Sequence, residues 1–128
     1  MTETPNVAPV AANDQQANSA KLAHILNGFF PLVGGLILWL TSKDQGAFAD
    51  DQGKEATNFG ILLVAGQIAA NIVMAVGTAI TLGFGAFILW VLPLGVWVWG
   101  IIQGFKVGNV AATGQVARYS WNPLRLIK

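Results

Sequence analysis

Residues 56–105 read ATNFGILLVAGQIAANIVMAVGTAITLGFGAFILWVLPLGVWVWGIIQGF and contain no Asp, Glu, Lys or Arg. A soluble globular protein carries charge on about a quarter of its residues, so a stretch of this length would hold about a dozen charges. The stretch is too long for one transmembrane helix of about 20 residues, and it suits two such helices joined by a turn. It therefore predicts an integral membrane protein whose two main spans form an antiparallel hairpin.

A second uncharged stretch, residues 22–42, precedes the first and is long enough for a third span. Pro31 and the adjacent glycines Gly34 and Gly35 interrupt it, and such breaks are tolerated where neighbouring helices satisfy the freed backbone groups. We predict an all-α integral membrane protein with three transmembrane segments, the first kinked or re-entrant. A disordered N-terminal tail precedes them.

Composition divides the chain into three parts. Residues 1–20 are polar and contain no Lys or Arg, so they are predicted to be a disordered tail and lack the basic region of a signal peptide. Residues 21–106 form the helical membrane domain, and the basic and aromatic residues 107–128 are predicted to lie at the membrane interface. A net charge of +1 gives no indication of nucleic-acid binding, and the absence of cysteine excludes disulfides and zinc–thiolate sites.

The distribution of Lys and Arg predicts the orientation in the membrane. With three full spans, one side carries only Lys21, and the other carries Lys43, Lys54, Lys106, Arg118, Arg125 and Lys128. This arrangement predicts a multi-pass protein of the bacterial inner membrane with its C-terminus in the cytoplasm and its N-terminus outside. If the first segment is re-entrant instead, all 7 basic residues and both termini lie on the cytoplasmic side.

Three amide side chains are predicted to lie within the membrane: Gln67, Asn71 and Gln103. Gln67 and Asn71 are four residues apart and share one face of the predicted helix. The structural interpretation is hydrogen bonding between helices, worth about 0.6 kcal/mol on average; the functional one is the polar lining of a solute path. We favour the former, because coupled transporters place ionisable groups at this depth and this stretch has none.

Small residues spaced four apart mark two faces for close helix packing. Gly66 and Ala70 form one pair in the first long helix, and Gly100 and Gly104 form a GxxxG motif in the second. Either pair could serve the hairpin itself or a homo-oligomer.

The sequence does not bring together the residue types of a catalytic or metal site. The single histidine, His24, has no second histidine or cysteine to complete a transition-metal site, and we assign it a surface or capping role. Asp44, Asp50, Asp51 and Glu55 could bind a hard cation weakly, but their spacing matches no coordination loop. We therefore predict no enzyme activity, no cofactor, no metal and no small-molecule substrate.

The most specific motif lies where the polar connector leads into the first long helix, and it reads FADDQGKEATNF at residues 48–59. An aspartate at this position can cap a helix, Asp50 precedes Lys54 by the four residues of a helical ion pair, and Gly53 permits close packing. The residues assigned to this helix start are Phe48, Asp50, Asp51, Gly53, Lys54, Glu55, Asn58 and Phe59. A structural role at the start of the helix is sufficient to explain the motif, and we favour this role over that of a binding site.

The motif resembles the pattern F-x-D-x-x-G-K-E-A-x-N-F of a bacterial membrane protein family of unknown function. Leu-Ala-His at 22–24, Phe-Phe-Pro at 29–31 and Asn-Pro-Leu at 122–124 extend the resemblance over residues 21–128. That family is related to the twenty-kilodalton subunit of the chloroplast inner-envelope translocon and is similar to the magnetosome membrane proteins that influence magnetite crystal growth. The resemblance implies three or four membrane helices and a role in protein translocation or in organising a membrane surface.

Three functions are compatible with these features. The first is a non-enzymatic scaffold or accessory subunit of a membrane complex, which forms a homo-oligomer or binds other membrane proteins in the lipid bilayer. The alternative is a translocation or channel component that works through a path lined by Gln67 and Asn71. A second alternative is cation or mineral-surface binding by the acidic connector, residues 41–53, that precedes the first long helix.

Overall fold

The structure is a computed structural model that describes residues 9–128. It is all-helical, and its helices are α1 (Asp14–Phe29), α2 (Val33–Ser42), α3 (Ala47–Ile80), α4 (Ala86–Leu89) and α5 (Val91–Ala111). A single 3-10 turn, Lys43–Gln45, joins α2 to α3. Residues 112–128 contain no helix or strand and turn back across the helices.

The first helix begins inside the segment that was predicted to be a disordered tail. The Asn13 side chain accepts a hydrogen bond from the Gln16 N–H at 3.0 Å, which satisfies a free donor of the first turn. Ala17 and Ala20 are buried, so this part gains packing that its polar composition does not reveal. The predicted disorder is therefore wrong for residues 14–20, and residues 1–8 lie outside the described part of the chain.

A tight turn breaks the predicted first transmembrane segment. Pro31 cannot donate a helical hydrogen bond, and Leu32 has a φ of 68°. The Asn27 side chain holds the turn by accepting hydrogen bonds from the Leu32 N–H (3.0 Å) and the Gly35 N–H (3.3 Å). A helix cannot continue through this conformation, so the segment folds as the two short helices α1 and α2.

The contacts with α3 give the directions of these two helices. The contact pairs are Gln16–Ala49, His24–Gln52 and Asn27–Gly60 for α1, and Gly35–Ala56 and Trp39–Gly53 for α2. Because the order is reversed between the two sets, α1 runs parallel to α3 and α2 runs antiparallel to it. The prediction of three full spans is not confirmed. A re-entrant first segment would need a break such as this turn.

Two segments are long and apolar enough to cross a membrane: α3, with 34 residues, and Ala86–Ala111, with 26 residues. Only 22% and 6% of the residues in their most apolar windows are buried. The core helix of a soluble protein would be covered there, so these exposed faces suit a nonpolar surrounding. Leu82 and Gly83 have positive φ values of 54° and 98° and form the turn between the two segments.

The hydrophobic core lies at the opposite end of the molecule, where the charged residues are. It is built from α1, the first half of α3, the end of α5 and the C-terminal residues. Its buried members are Ala20, Phe48, Phe59, Leu62, Leu63, Val107, Ala111, Ala117 and Tyr119. The polar end is thus a packed body, and the apolar hairpin projects from it.

Candidate functional site

The C-terminal residues lie across one face of α3. Asp51, Glu55 and Asn58 are three or four residues apart, so their side chains share this face. The Arg118 guanidinium donates two hydrogen bonds to the Asp51 carboxylate, both at 2.8 Å. We call residues 116–128, together with the three α3 side chains that hold them, the C-terminal latch.

Glu55 makes the most buried contact of the latch. Its side chain is 3% exposed, whereas that of Arg125 is 44% exposed. Arg125 donates two hydrogen bonds to the carboxylate at 2.8 and 3.0 Å, and the Tyr119 N–H donates a third at 3.0 Å. The hydrogen bond to Glu55 raises the pKa of Arg125. A buried carboxylate is costly unless it is paired and hydrogen-bonded, and here both oxygens have donors.

Asn58 holds the backbone near the end of the chain. Its Nδ2 donates to the Ile127 carbonyl oxygen and its Oδ1 accepts from the Ile127 N–H, both at 2.8 Å. Such a reciprocal pair resembles the exchange of two hydrogen bonds between opposite residues of antiparallel strands. Asn58 therefore fixes an extended backbone without recognising the Ile127 side chain.

A chain of buried hydrogen bonds connects the latch to α1. Gln52 Nε2 donates to Asp51 Oδ2 at 3.0 Å, so Gln52 Oε1 accepts from His24 Nε2 at 2.9 Å. The other ring nitrogen of His24 then accepts the Tyr119 hydroxyl at 2.7 Å. Because His24 is fully buried, the surface or capping role that we assigned to it is wrong.

Burial sets the charge states in this network. Desolvation lowers the pKa of His24 from 6.5 to about 4, against a smaller raising effect of the hydrogen bond to Gln52. Desolvation and the charge of Glu55 raise the pKa of Tyr119 well above 10. Both groups are therefore neutral at pH 7 and are hydrogen-bonded to partners, as is typical of structural side chains.

Aromatic rings continue the latch towards the apolar helices. Tyr119 stacks on Phe59 with ring centroids 3.8 Å apart and an interplanar angle of 11°. Phe59 also contacts Trp99 at 5.2 Å, and Trp99 lies 6.3 Å from Trp121. The C-terminal residues are thus packed as well as ion-paired.

The aspartates at the start of α3 do not cap the helix, so this part of the prediction is wrong. The N-cap residue is Gly46, no side chain makes a capping hydrogen bond, and Asp50 already lies in the first turn. The 3-10 turn leads directly into α3, so the helix begins before Asp50 and Asp51. Their carboxylates are free to bond elsewhere.

The other packing features of the helix start are present. Asp50 pairs with Lys54 at 2.9 Å, the ion pair predicted from their spacing, and accepts the indole N–H of Trp39 at 2.8 Å. A Cβ on Gly53 would come within 2.6 Å of the Trp39 side chain, so this glycine permits the close approach of α2. Phe48 is 1% exposed and belongs to the core.

Three of the four acids considered as cation ligands are paired with cations of the chain itself. The pairs are Asp50–Lys54, Asp51–Arg118 and Glu55–Arg125. Asp44 is the exposed member of the four. Within residues 9–128 no group of three or more His, Cys, Asp or Glu side chains could hold a metal ion.

The three amides predicted to lie within the membrane do not come together as one set. Gln67 and Asn71 line an open groove of about 590 Å³ beside Pro31 and Trp97. Asn71 donates to the Gln67 carbonyl of its own helix at 2.8 Å, and Gln67 Oε1 is buried with no hydrogen-bond partner among the described residues. Gln103 lies in a different groove, beside the C-terminal residues.

The small residues serve packing within the chain. A Cβ on Gly104 would lie 2.6 Å from the His24 carbonyl oxygen of α1, and a Cβ on Gly100 would lie 3.0 Å from the Leu63 side chain of α3, so the two glycines of the GxxxG motif permit close packing against different helices. Gly66 faces α5 at ordinary contact distance, and Ala70 is 9% exposed.

The latch is not predicted from the sequence. The signal that could have indicated it is charge matching, since the sequence assigns no partner to Asp51 and Glu55, and Arg118 and Arg125 lie in the segment predicted to be interfacial. However, charge matching alone does not indicate which basic residue pairs with which acid. The hydrogen bonds of Asn58 are to backbone atoms, so no residue type in the sequence indicates its partner.

The fold and this site define a class: a small all-helical protein with a closed polar body and two exposed apolar helices, which together indicate a membrane protein. Residues 15–127 match the family model of the magnetosome magnetite crystal formation protein family. The chain belongs to this family. A search of the curated proteins and a search of the solved structures found no match. The resemblance to magnetosome proteins is confirmed, and the relation to the translocon subunit stays a prediction.

Replacing Glu55 with Ala should release the latch. The change removes the acceptor of Arg125 and of the Tyr119 N–H, and hydrogen bonds to a charged group contribute about 1.5–3 kcal/mol. We expect trypsin to cleave after Arg118 and Arg125 faster than in the wild type, as followed by mass spectrometry in detergent. Asp44→Ala removes an exposed acid of the turn before α3 as a control and should leave the rate unchanged; equal rates in both variants would contradict the role of Glu55.

Acidification should destabilise the protein through His24. The unfolded chain takes up a proton near pH 6.5 and the folded chain only near pH 4, so this contribution is complete above pH 6.5 and is lost as the pH falls. We expect the free energy of unfolding to fall by about 2 kcal/mol between pH 7 and pH 5, measured by circular dichroism in detergent. His24→Gln should remove most of this slope. The same slope in both proteins would show that another group is responsible.

Proposed function

We propose that this protein is a non-enzymatic accessory or scaffold protein of a bacterial membrane, and that it organises the membrane surface at which a magnetosome crystal forms. The observation that carries the proposal is the division of the molecule into an apolar hairpin, residues 61–105, and a polar body closed by its own C-terminal latch. Membership of the magnetosome magnetite crystal formation protein family supports the proposed location at a magnetosome membrane.

The chemistry of the polar body favours a structural role over a catalytic one. Catalysis by acid–base groups needs side chains with a pKa near the working pH in a pocket that a substrate can reach. His24 and Tyr119 are instead buried, neutral and bonded to one another. The carboxylates of Asp51 and Glu55 are each held by an arginine of the latch.

The proposed membrane placement follows from the same division. The hairpin of α3 and α4–α5 crosses the bilayer, and α1 and α2 enter from the side of the polar body and turn back. The turn lies beside the hairpin, because Trp97 donates its indole N–H to the Phe29 carbonyl oxygen at 3.0 Å. In this placement all 7 Lys and Arg residues lie on one side, which is the cytoplasmic side under the positive-inside rule.

Reporter fusions test this topology. A reporter at the N-terminus and one at the C-terminus should both be active in the cytoplasm, because two spans return the chain to the side where it began. An internal fusion after Gly83, in the turn between the spans, should report the opposite side. Termini on opposite sides would restore three full spans and contradict the re-entrant placement.

One observation favours translocation as a second candidate function. The groove that holds Gln67 and Asn71 presents a polar strip in an apolar helix, and several copies of the chain could enclose it. A scaffold would use the same strip to bind a second copy or another membrane protein. In a translocation component the polar strip would contact the transported solute or peptide, whereas in a scaffold it would contact a second copy or another membrane protein.

A double variant, Gln67→Leu with Asn71→Leu, separates these functions. If the protein is a scaffold, crosslinking in native membranes followed by mass spectrometry should capture partner proteins or a second copy, and the variant should capture fewer. Reconstituted liposomes should show no flux of ions or peptides above that of empty liposomes. Flux by the wild type that disappears in the variant would replace the scaffold with a translocation component. As a control, Ile68→Leu alters the same groove without removing a polar group.

A further inference from the structure

We propose that a groove at the polar end of α5 binds the phosphate headgroup of an anionic phospholipid. The groove has a volume of about 360 Å³ and lies between the last turns of α5 and the start of the latch. Its polar side chains are Gln103, Lys106, Arg118 and Ser120, and valines form most of the remaining wall. The inference rests on the membrane placement of the proposed function.

The charge of the groove comes from Lys106. Arg118 also lines it, but its charge is neutralised by the bidentate contact with Asp51. The three ion pairs within residues 9–128 do not include Lys106. A lysine ammonium is a compact point charge that binds phosphate well. The groove therefore presents one uncompensated positive charge.

Neutral donors lie beside this charge. The Gln103 amide and the Ser120 hydroxyl line the same groove, and both groups can donate hydrogen bonds to phosphate oxygens. Gln103 and Lys106 are three residues apart and therefore share a face of α5. The set provides an ammonium, an amide and a hydroxyl around one space of suitable size for a headgroup.

The position of the groove along α5 argues for a lipid rather than a free anion. Lys106 is the first charged residue after the uncharged stretch, so it lies where the helix would leave the hydrocarbon. The preceding turn exposes Ile102 and Phe105, which are 51% and 43% exposed. Trp121, 60% exposed, lies against Trp99 nearby, and indoles favour the headgroup level of a bilayer.

An amphiphile can bind both to the polar groove at Lys106 and to the exposed apolar side chains beside it. Its phosphate would lie at Lys106 and its acyl chains would cover the apolar surface around Ile102, one turn before Lys106. Basic pockets of this kind beside membrane helices recognise anionic headgroups, and each lysine near the surface contributes roughly a five-fold gain in binding. A free phosphate would use the polar part alone and would leave the apolar surface uncovered.

Native mass spectrometry of the full-length protein in detergent tests the site. The delipidated protein is titrated separately with phosphatidylglycerol, phosphatidylcholine and inorganic phosphate. We expect phosphatidylglycerol to bind more tightly than phosphatidylcholine, and Lys106→Gln to weaken its binding about five-fold. Lys43→Gln makes the same change of charge at an exposed lysine outside the groove, and it should leave the affinity unchanged.

Three results would overturn the site: equal affinity for the two lipids, equal loss in the Lys106 and Lys43 variants, or inorganic phosphate binding with the same dependence on Lys106. Extraction of the reconstituted protein from vesicles with alkaline carbonate is measured in parallel. Complete extraction would count against membrane placement and hence the proposed function. Resistance to extraction combined with equal lipid affinities would overturn the headgroup site alone.

Discussion

The carboxylate of Glu55 lies buried on the helix that continues into the apolar hairpin, and its need for partners organises the polar end of the molecule. An unpaired charge in such a place costs several kcal/mol, so the chain must bring donors to it. Arg125 and the Tyr119 N–H are those donors. Once Tyr119 is in place, its ring stacks on Phe59 and its hydroxyl bonds to His24. One buried acid thus ties α3, α1 and the C-terminal residues into one body.

Features that depend on neighbouring residues could be predicted from the sequence. The absence of charge from residues 56–105 indicated the apolar hairpin, because composition alone decides whether a helix suits a bilayer. Pro31 indicated the break in the first segment, and the four-residue spacing of Asp50 and Lys54 indicated their ion pair. In each case the physical cause lies within one or two helical turns.

The latch could not be predicted in the same way, because its contacts join distant parts of the chain. Arg118 lies 67 residues from Asp51, Arg125 lies 70 from Glu55, and Ile127 lies 69 from Asn58. Local periodicity contains no information on such pairs. The false expectation of capping has the same origin, because carboxylates that bind Arg118 and Trp39 look like capping residues when only their neighbours are considered. The structured start of α1 likewise depends on packing against distant helices.

Gln67 shows that the apolar hairpin contains a polar group that the described part of the chain does not satisfy. Its Oε1 is buried with no partner among the described residues, and an unsatisfied amide of this kind costs about 1–3 kcal/mol. Acyl chains offer no hydrogen-bond donor, so lipid cannot remove this cost. A donor from another helix can, and the open groove beside Gln67 leaves room for that helix to approach. The hairpin thus leaves an acceptor for something else in the membrane to satisfy, as an accessory protein would.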